Sequence, residues 1–340
     1  QTYAPPPLPA AQEPPADLLF NNGLGGFTPD GKEYVIVLNE GKPTPAPWSN
    51  VLAGPEFGCV ISESGQSYTW SENAHEFRLT PWHNDPITDL GGELFYLRDE
   101  ETGHYWSPAP LPCRGVGPYE TRHGFGYSTF THTESGIASE MTVYSDLESA
   151  VKYVRIRVRN LSGRPRLISA TGYVEWVLGD VRHKSAQHIV TEYNDEAGGI
   201  FARNPYNTEF PGRVAFFCSN AVRASYTGDR AEFLGRNGSQ RDPACLKKAH
   251  LSHKVGAGLD PCAALQAPMP LTADEEQEIV FMLGSALNAE AALSLTQSVR
   301  EPAAPAQALE RVREFWKGLL GAVQVKTPDP AFDVMFNGWL

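Results

Sequence analysis

Between residue 33 and about residue 286 the chain repeats one pattern: short runs of alternating apolar and polar side chains, each ended by Gly, Pro, Asn or Asp. "EYVIVL" (33–38) follows the turn "TPDG", and "ELFYLRDE" (93–100) runs into the turn-forming "ETG". "IASEMTVY" (137–144) sets Ile137, Met141 and Val143 on one side, with Glu140 and Thr142 on the other. "VRIRVRN" (154–160) sets Val154, Ile156 and Val158 against Arg155, Arg157 and Arg159. "RLISATGYVEWVL", "RVAFFCS" and "EIVFMLGSA" continue it. Successive side chains of a strand point to opposite faces, so this alternation marks antiparallel strands with one buried face. So many strands with no helix between them predict a large antiparallel β-sandwich.

The pattern changes near residue 299. In "ALERVREFWKGLLGAV" the residues Leu309, Val312, Trp316, Leu319 and Val323 fall at helical spacing, which predicts an amphipathic helix. "VKTPDPAFDVMFNGWL" then predicts a second helix with Thr327 as N-cap, Pro328 at the first helical position, and Phe332, Met335, Phe336 and Trp339 along one apolar stripe. Such a stripe calls for cover from further helices, so the chain reads as stopping on the threshold of a helical domain. At the other end, "QTYAPPPLPAAQEPPADLLF" has no initiator Met, basic n-region or apolar h-region, and reads as an extended linker continuing from something upstream.

Composition narrows the partners. Apolar residues make up 41% of the 340, enough for a core, and the net charge of −12 argues against nucleic acid, whose phosphates reward a basic patch. No stretch approaches roughly 18 consecutive apolar residues, so no membrane-spanning helix is expected. Five scattered cysteines without a C-x-x-C pair fit a reducing, cytoplasmic compartment, with Cys59 and Cys218 as small core hydrophobes.

Few motifs carry chemistry. "NNGLGGF" (21–27) lacks the preceding strand and following helix of a dinucleotide loop and reads as a tight turn. His83, Asp85 and Asp89 match no dedicated metal spacing and read as loop residues. The Arg155/Arg157/Arg159 stripe reads as a solvated strand face. No spacing selects a catalytic carboxylate pair among the 40 acidic residues. One window stands apart: "SESGQSYTWSENAHEFRLTPWHND" (62–85) gathers Tyr68, Trp70, Phe77 and Trp82 with His75, Arg78, His83, Asn84 and Asp85. Rings that carry polar handles suit sugar stacking and also interdomain surfaces. Docking is the first reading here, through Trp70, Trp82, His83 and Asp85, and direct sugar contact the second.

Several stretches together resemble the N-terminal region of glycoside hydrolase family 94, formerly glycosyltransferase family 36. They are "FNNGLGGFTPDGKEYVIVL", "PAPWSNVLAGPEFGCVISESGQSYTW", "EFRLTPWHNDPITDLGGELFYLRDEETGHYWSP", "HGFGYSTF", "YVEWVLGDVR", "FLGRNGS", "LDPCAALQ" and "VKTPDPAFDVMFNGWL". The resemblance runs from about residue 18 to the last residue and is greatest to the phosphorylase-like module of cyclic β-1,2-glucan synthases.

This resemblance implies a mainly β fold: a galactose-mutarotase-like super-sandwich, then a linker helix and the start of an (α/α)6 barrel. The implied divisions are a Pro-rich linker (1–17), the sandwich (18–298), a helical linker (299–325) and the opening of the barrel (326–340). It further implies inverting phosphorolysis of β-glucosides to α-glucose 1-phosphate. Phosphate attacks the anomeric carbon directly, so one carboxylic acid on the leaving oxygen suffices. In the family that acid is an Asp of the barrel, so no residue here takes the role and the chain alone is expected to be inactive. No cofactor is implied; phosphate or α-glucose 1-phosphate would be a substrate of the complete enzyme. The implied partners are a β-glucan or β-gluco-oligosaccharide, the chain's own barrel and a second copy in a homodimer. By position, a sandwich loop that reaches the acceptor end of the family's pocket corresponds to "GDVRHKSAQH" (179–188), offering Arg182, His183, Gln187 and His188 to sugar hydroxyls; a polar loop without a ligand is the other reading. The alternative function is a free-standing carbohydrate-binding sandwich.

Overall fold

The computed structural model describes residues 11–339; residues 1–10 of the expected Pro-rich linker lie outside them. The chain is mainly β. Ten strands form one antiparallel sheet, five form a second and three a third. The alternating runs behave as their parity demands. Ile137, Met141, Val143, Val154, Ile156 and Val158 of the large sheet meet Leu97, Ile168, Ala170, Val174 and Leu265 of the five-stranded sheet in one core. The three-stranded sheet, Ser49–Ala53, Phe57–Ser62 and Ser67–Ser71, closes over part of this core with Leu52, Phe57, Cys59 and Ile61. Cys59 and Cys218 are buried thiols, and none of the five cysteines is in a disulfide.

Both sheets are also covered from outside. Helices Ala289–Val299 and Ala304–Gly321 bury Tyr144, Tyr153, Val280 and Met282 on the outer face of the large sheet. Tyr144 Oη donates to the carbonyl of Pro305 and ties the second helix down. The segment around helix Arg230–Leu234 covers Leu94, Tyr96 and Tyr173 on the outside of the five-stranded sheet. The uncovered part of the large sheet is the charged face expected from its arginines: Arg155 pairs with Glu278 at 2.7 Å and Arg157 with Glu140.

Besides the short helices Arg182–Ser185 and Arg230–Leu234 inside the stretch expected to hold none, three features differ from the sequence reading. A helix already begins at Ala289, inside the stretch read as sandwich, because the Asn288 side chain accepts the Ala291 N–H at 2.9 Å and caps it. The last helix is capped by Asp329, not Thr327, with Pro330 rather than Pro328 in its first turn. Thr327 instead donates its N–H and hydroxyl to Asp333, each at 2.8 Å. Third, Trp339 leaves the apolar stripe: it packs on Phe125 and Phe27 and donates Nε1–H to the Gly31 carbonyl at 2.7 Å. Phe332, Met335 and Phe336 stay 47%, 38% and 48% exposed. Local shape allows it: a Cβ at Gly338 would collide with the Phe125 ring on which Trp339 packs.

The three sheets meet at a buried ion pair. Lys152 of the large sheet places Nζ 2.5 Å from Glu93 of the five-stranded sheet and 2.7 Å from Ser67 Oγ of the small one. Thr69 and Thr80 donate their hydroxyls to the same carboxylate at 2.6 Å each.

Candidate functional site

Strand Ser67–Ser71 carries Tyr68 and Trp70 two residues apart, hence on one face. The loop that follows returns Trp82 onto Tyr68, ring centroids 4.7 Å apart, while Trp70 lies 5.4 Å from the same ring. Tyr68 is buried, while Trp82 remains 41% exposed, and Ile87 and Leu90 of the same loop are exposed as well. Phe77 is buried against the core. His83 is exposed. Asp85 is a turn-former: it accepts from the Thr88 hydroxyl and from the Ile87 and Thr88 N–H groups. Those bonds, the Thr88 hydroxyl foremost, hold its carboxyl below the usual range. Asp89 is held by Ser62 and Ser64, and burial raises it.

The second candidate stretch lies beside the first. Arg78 donates its N–H to the Gly179 carbonyl at 3.0 Å and its guanidinium to the Asp180 carbonyl at 3.1 Å. Residues 182–188 form one turn of helix followed by a 3-10 turn. Within it Arg182 is already engaged: it pairs with Asp260 and lies 3.6 Å from Glu175, which also takes Arg230 at 2.8 Å and the Tyr173 hydroxyl at 2.9 Å. A guanidinium in a balanced four-charge network serves to fix the loop. His183 and Gln187 are the loop's freer polar groups, and His188 stacks on Tyr206 with centroids 4.0 Å apart.

Tyr206, 72% exposed, is a surface residue the sequence reading did not single out. Its loop is fastened because Asn204 and Asn207 both donate side-chain N–H to the Leu178 carbonyl, at 3.0 and 3.2 Å. The signal was the turn-rich "RNPYNTEFPG" (203–212), whose two asparagines flank an aromatic. Phe210 of the same loop packs on Phe77 at 5.2 Å. These contacts tie loops 72–90, 178–188 and 204–210 together; the last two present His183, Gln187 and the His188–Tyr206 stack, and the first carries exposed Trp82 and His83 beyond its Arg78 anchor. Such a surface can stack on a ring and hydrogen-bond in both directions. Its carboxylates Asp85, Glu175 and Asp260 are all engaged in the bonds above. Among the described residues no group of three His, Cys, Asp or Glu stands close enough to hold a metal ion.

Residues 32–302 match the family model of the glycosyl hydrolase 94 supersandwich domain. The chain is similar to the cyclic beta-(1,2)-glucan synthase NdvB of Rhizobium meliloti (strain 1021), 40% identical over 95% of this chain and 12% of that protein. It is also similar to the N,N'-diacetylchitobiose phosphorylase of Vibrio furnissii, 28% identical over 93% of this chain and 40% of that one. The chain thus spans well under half of either relative. Among solved structures, a bacterial glucoamylase complexed with acarbose aligns with a TM-score of 0.50 at 7% identity, over 84% of this chain and 41% of that one, a likeness of fold alone.

Proposed function

Because the chain belongs to the glycosyl hydrolase 94 supersandwich family, we propose that it is the sandwich and linker of a larger cytoplasmic β-glucan-processing enzyme, a phosphorylase or a cyclic β-1,2-glucan synthase. In this reading the sandwich does not carry the chemistry. It holds a catalytic barrel, supports a homodimer, and lends His183, Gln187 and His188 to the acceptor end of a sugar site. The observation that carries the reading is the 40% identity to a glucan synthase sustained across 95% of the chain. The surface agrees with it: His183 and Gln187 are hydrogen-bonding groups on the loop surface, while Arg182 positions the loop that bears them. Among the described residues no helix is long and apolar enough to cross a membrane.

The test is phosphorolysis. Purified residues 1–340, given phosphate and β-1,2-, β-1,3- or β-1,4-gluco-oligosaccharides, should release no α-glucose 1-phosphate, whereas a protein extended to the length of the phosphorylases should. Release by the 340-residue chain would overturn the assignment of the chemistry to other sequence.

The Trp82 face has its own expected outcome. Burying a large side chain contributes roughly 1.5–3 kcal/mol, and Trp82 is 41% exposed in this chain. Trp82→Ala in the extended protein should lower thermal stability by about that amount through a loosened sandwich–barrel contact, with KM for the donor sugar unchanged. In residues 1–340 the same change should cost less. If glucan quenches the tryptophan emission of this chain and Trp82→Ala removes the quench, the face binds sugar directly and docking is wrong.

A further inference from the structure

A cleft of about 780 Å³ lies between the turn at residues 29–32, helix Ala304–Gly321 and the final helix, and shares no lining residue with loops 72–90, 178–188 and 204–210. Its volume falls within the roughly 300–1,000 Å³ typical of small-molecule clefts. Phe125, Tyr127 and Trp316 supply aromatic surface. The Tyr127 ring is fixed, since its hydroxyl donates to Glu33 at 2.5 Å and the Arg313 guanidinium sits 5.2 Å from its centroid. Phe125 packs against both Trp316 at 6.4 Å and Trp339 at 4.9 Å.

The polar lining decides the ligand class. Asp30, Glu310, Glu314 and Asp333 line it together with Lys32, Arg313 and Lys317; Lys32–Asp30 at 3.3 Å and Lys317–Glu314 at 3.0 Å already form ion pairs, and Asp333 accepts from the N–H and hydroxyl of Thr327. An anion-binding cleft would carry an excess of bases; here the lining has one acid more than bases, and with Asp333 engaged by Thr327 the three remaining acids match the three bases. Balanced donors and acceptors over aromatic rings suit a neutral polyol, whose hydroxyls both donate and accept and whose ring C–H faces bury on aromatic surface.

We propose that this cleft binds a neutral gluco-oligosaccharide, at a site separate from the 179–188 loop. The proposal deepens the carbohydrate reading above and rests on it for the choice of sugar. Because the cleft is walled by sandwich, linker helix and final helix together, an occupant would brace these three elements against one another.

The experiment is calorimetric titration of residues 1–340 with β-1,2-, β-1,3- and β-1,4-gluco-oligosaccharides, with an oligogalacturonate as the anionic comparison and tryptophan emission recorded in parallel. At least one neutral series should bind and change the emission. Trp316→Ala should weaken binding tenfold or more. Glu314→Ala combined with Lys317→Ala, two exposed side chains whose loss leaves the helix packing in place, should weaken it several-fold with an unchanged circular dichroism spectrum. No binding by any neutral series, or tighter binding of the oligogalacturonate, overturns the proposal. So does binding that survives Trp316→Ala but is lost in a His183→Ala, Gln187→Ala variant, which places the sugar on the loop and leaves the carbohydrate reading intact. If the extended protein turns over no β-glucoside while this chain binds one through Trp316, the family-level function fails and the cleft stands.

Discussion

Replacing Lys152 with Met is expected to destabilise the chain by about 3–5 kcal/mol, because it strands a buried charge. Lys152 and Glu93 are each 1% exposed, and Glu93 has no route to water when its cation is removed. Burial, the largest influence on the Glu93 carboxyl, would raise it; the charge and hydrogen bonds of Lys152, with Thr69 and Thr80, outweigh burial and hold it below 4.5. Burial would likewise lower the Lys152 ammonium, and the neighbouring Cys59 and Glu93 hold it above 10.5. Cys59 is itself a neutral thiol pushed up by burial, so Glu93 is the working counter-charge. At roughly 2–4 °C per kcal/mol for domains of moderate size, the midpoint should fall by about 10 °C. Adding Glu93→Gln to Lys152→Met should recover a large part of this, since removing both charges is far less costly than removing one. The pH dependence follows in sign. Glu93 has a depressed folded-state value, so its contribution is present above about pH 4.5 and lost as pH falls through that lower value. Lys152 has a raised one, so its contribution is present below about pH 10.5 and lost as pH rises beyond. A single Lys152→Met variant that melts within about 2 °C of the parent, less than 1 kcal/mol on the same scale, would mean that the ion pair does not join the sheets.

Gly126→Ala is expected to lift the linker helix from the sandwich. Gly126 has φ +82°, and a Cβ there would sit 2.5 Å from both Trp316 Nε1 and Val312 Cγ1 of helix Ala304–Gly321. The change therefore combines left-handed backbone strain of about 1–2 kcal/mol with overpacking of about 1–3 kcal/mol. Gly163 is the matched comparison: φ +73°, with nothing within 4 Å of where an alanine methyl would stand. Gly163→Ala should show the strain alone. Amide exchange should accelerate across residues 304–321 in Gly126→Ala and not in Gly163→Ala. Equal melting shifts in the two variants, with equal helix protection, would mean that the close approach at Gly126 is not what seats the helix.

The alternation from residue 33 to 286 was sufficient to predict an antiparallel sandwich, because burial of one face imposes period two on every strand whatever it pairs with. The same parity carries a further signal. In "VKYVRIRVRN" (151–160), Lys152 shares the inward parity of Val154, Ile156 and Val158, so a charge was due in the core. The partner could not be read: Glu93 is 59 residues away on a different sheet. Of the aromatic window 62–85, Tyr68 and Phe77 are buried and Trp70 is half-buried, which periodicity did not reveal, while Trp82 and His83 are exposed. Of the loop residues offered to sugar, His183 and Gln187 are presented, while Arg182 is drawn into Glu175 and Asp260. Helical periodicity likewise found the linker and final helices, yet not which side each would bury. Trp339 repeats with Phe332, Met335 and Phe336 along the sequence, but turns to Gly31 and Phe125. Periodicity is a property of one element and is written in its own residues. Where a charge finds its counter-charge, or a tryptophan its acceptor, depends on which distant backbone passes within a few ångströms, and only the packing of the sheets and helices decides that.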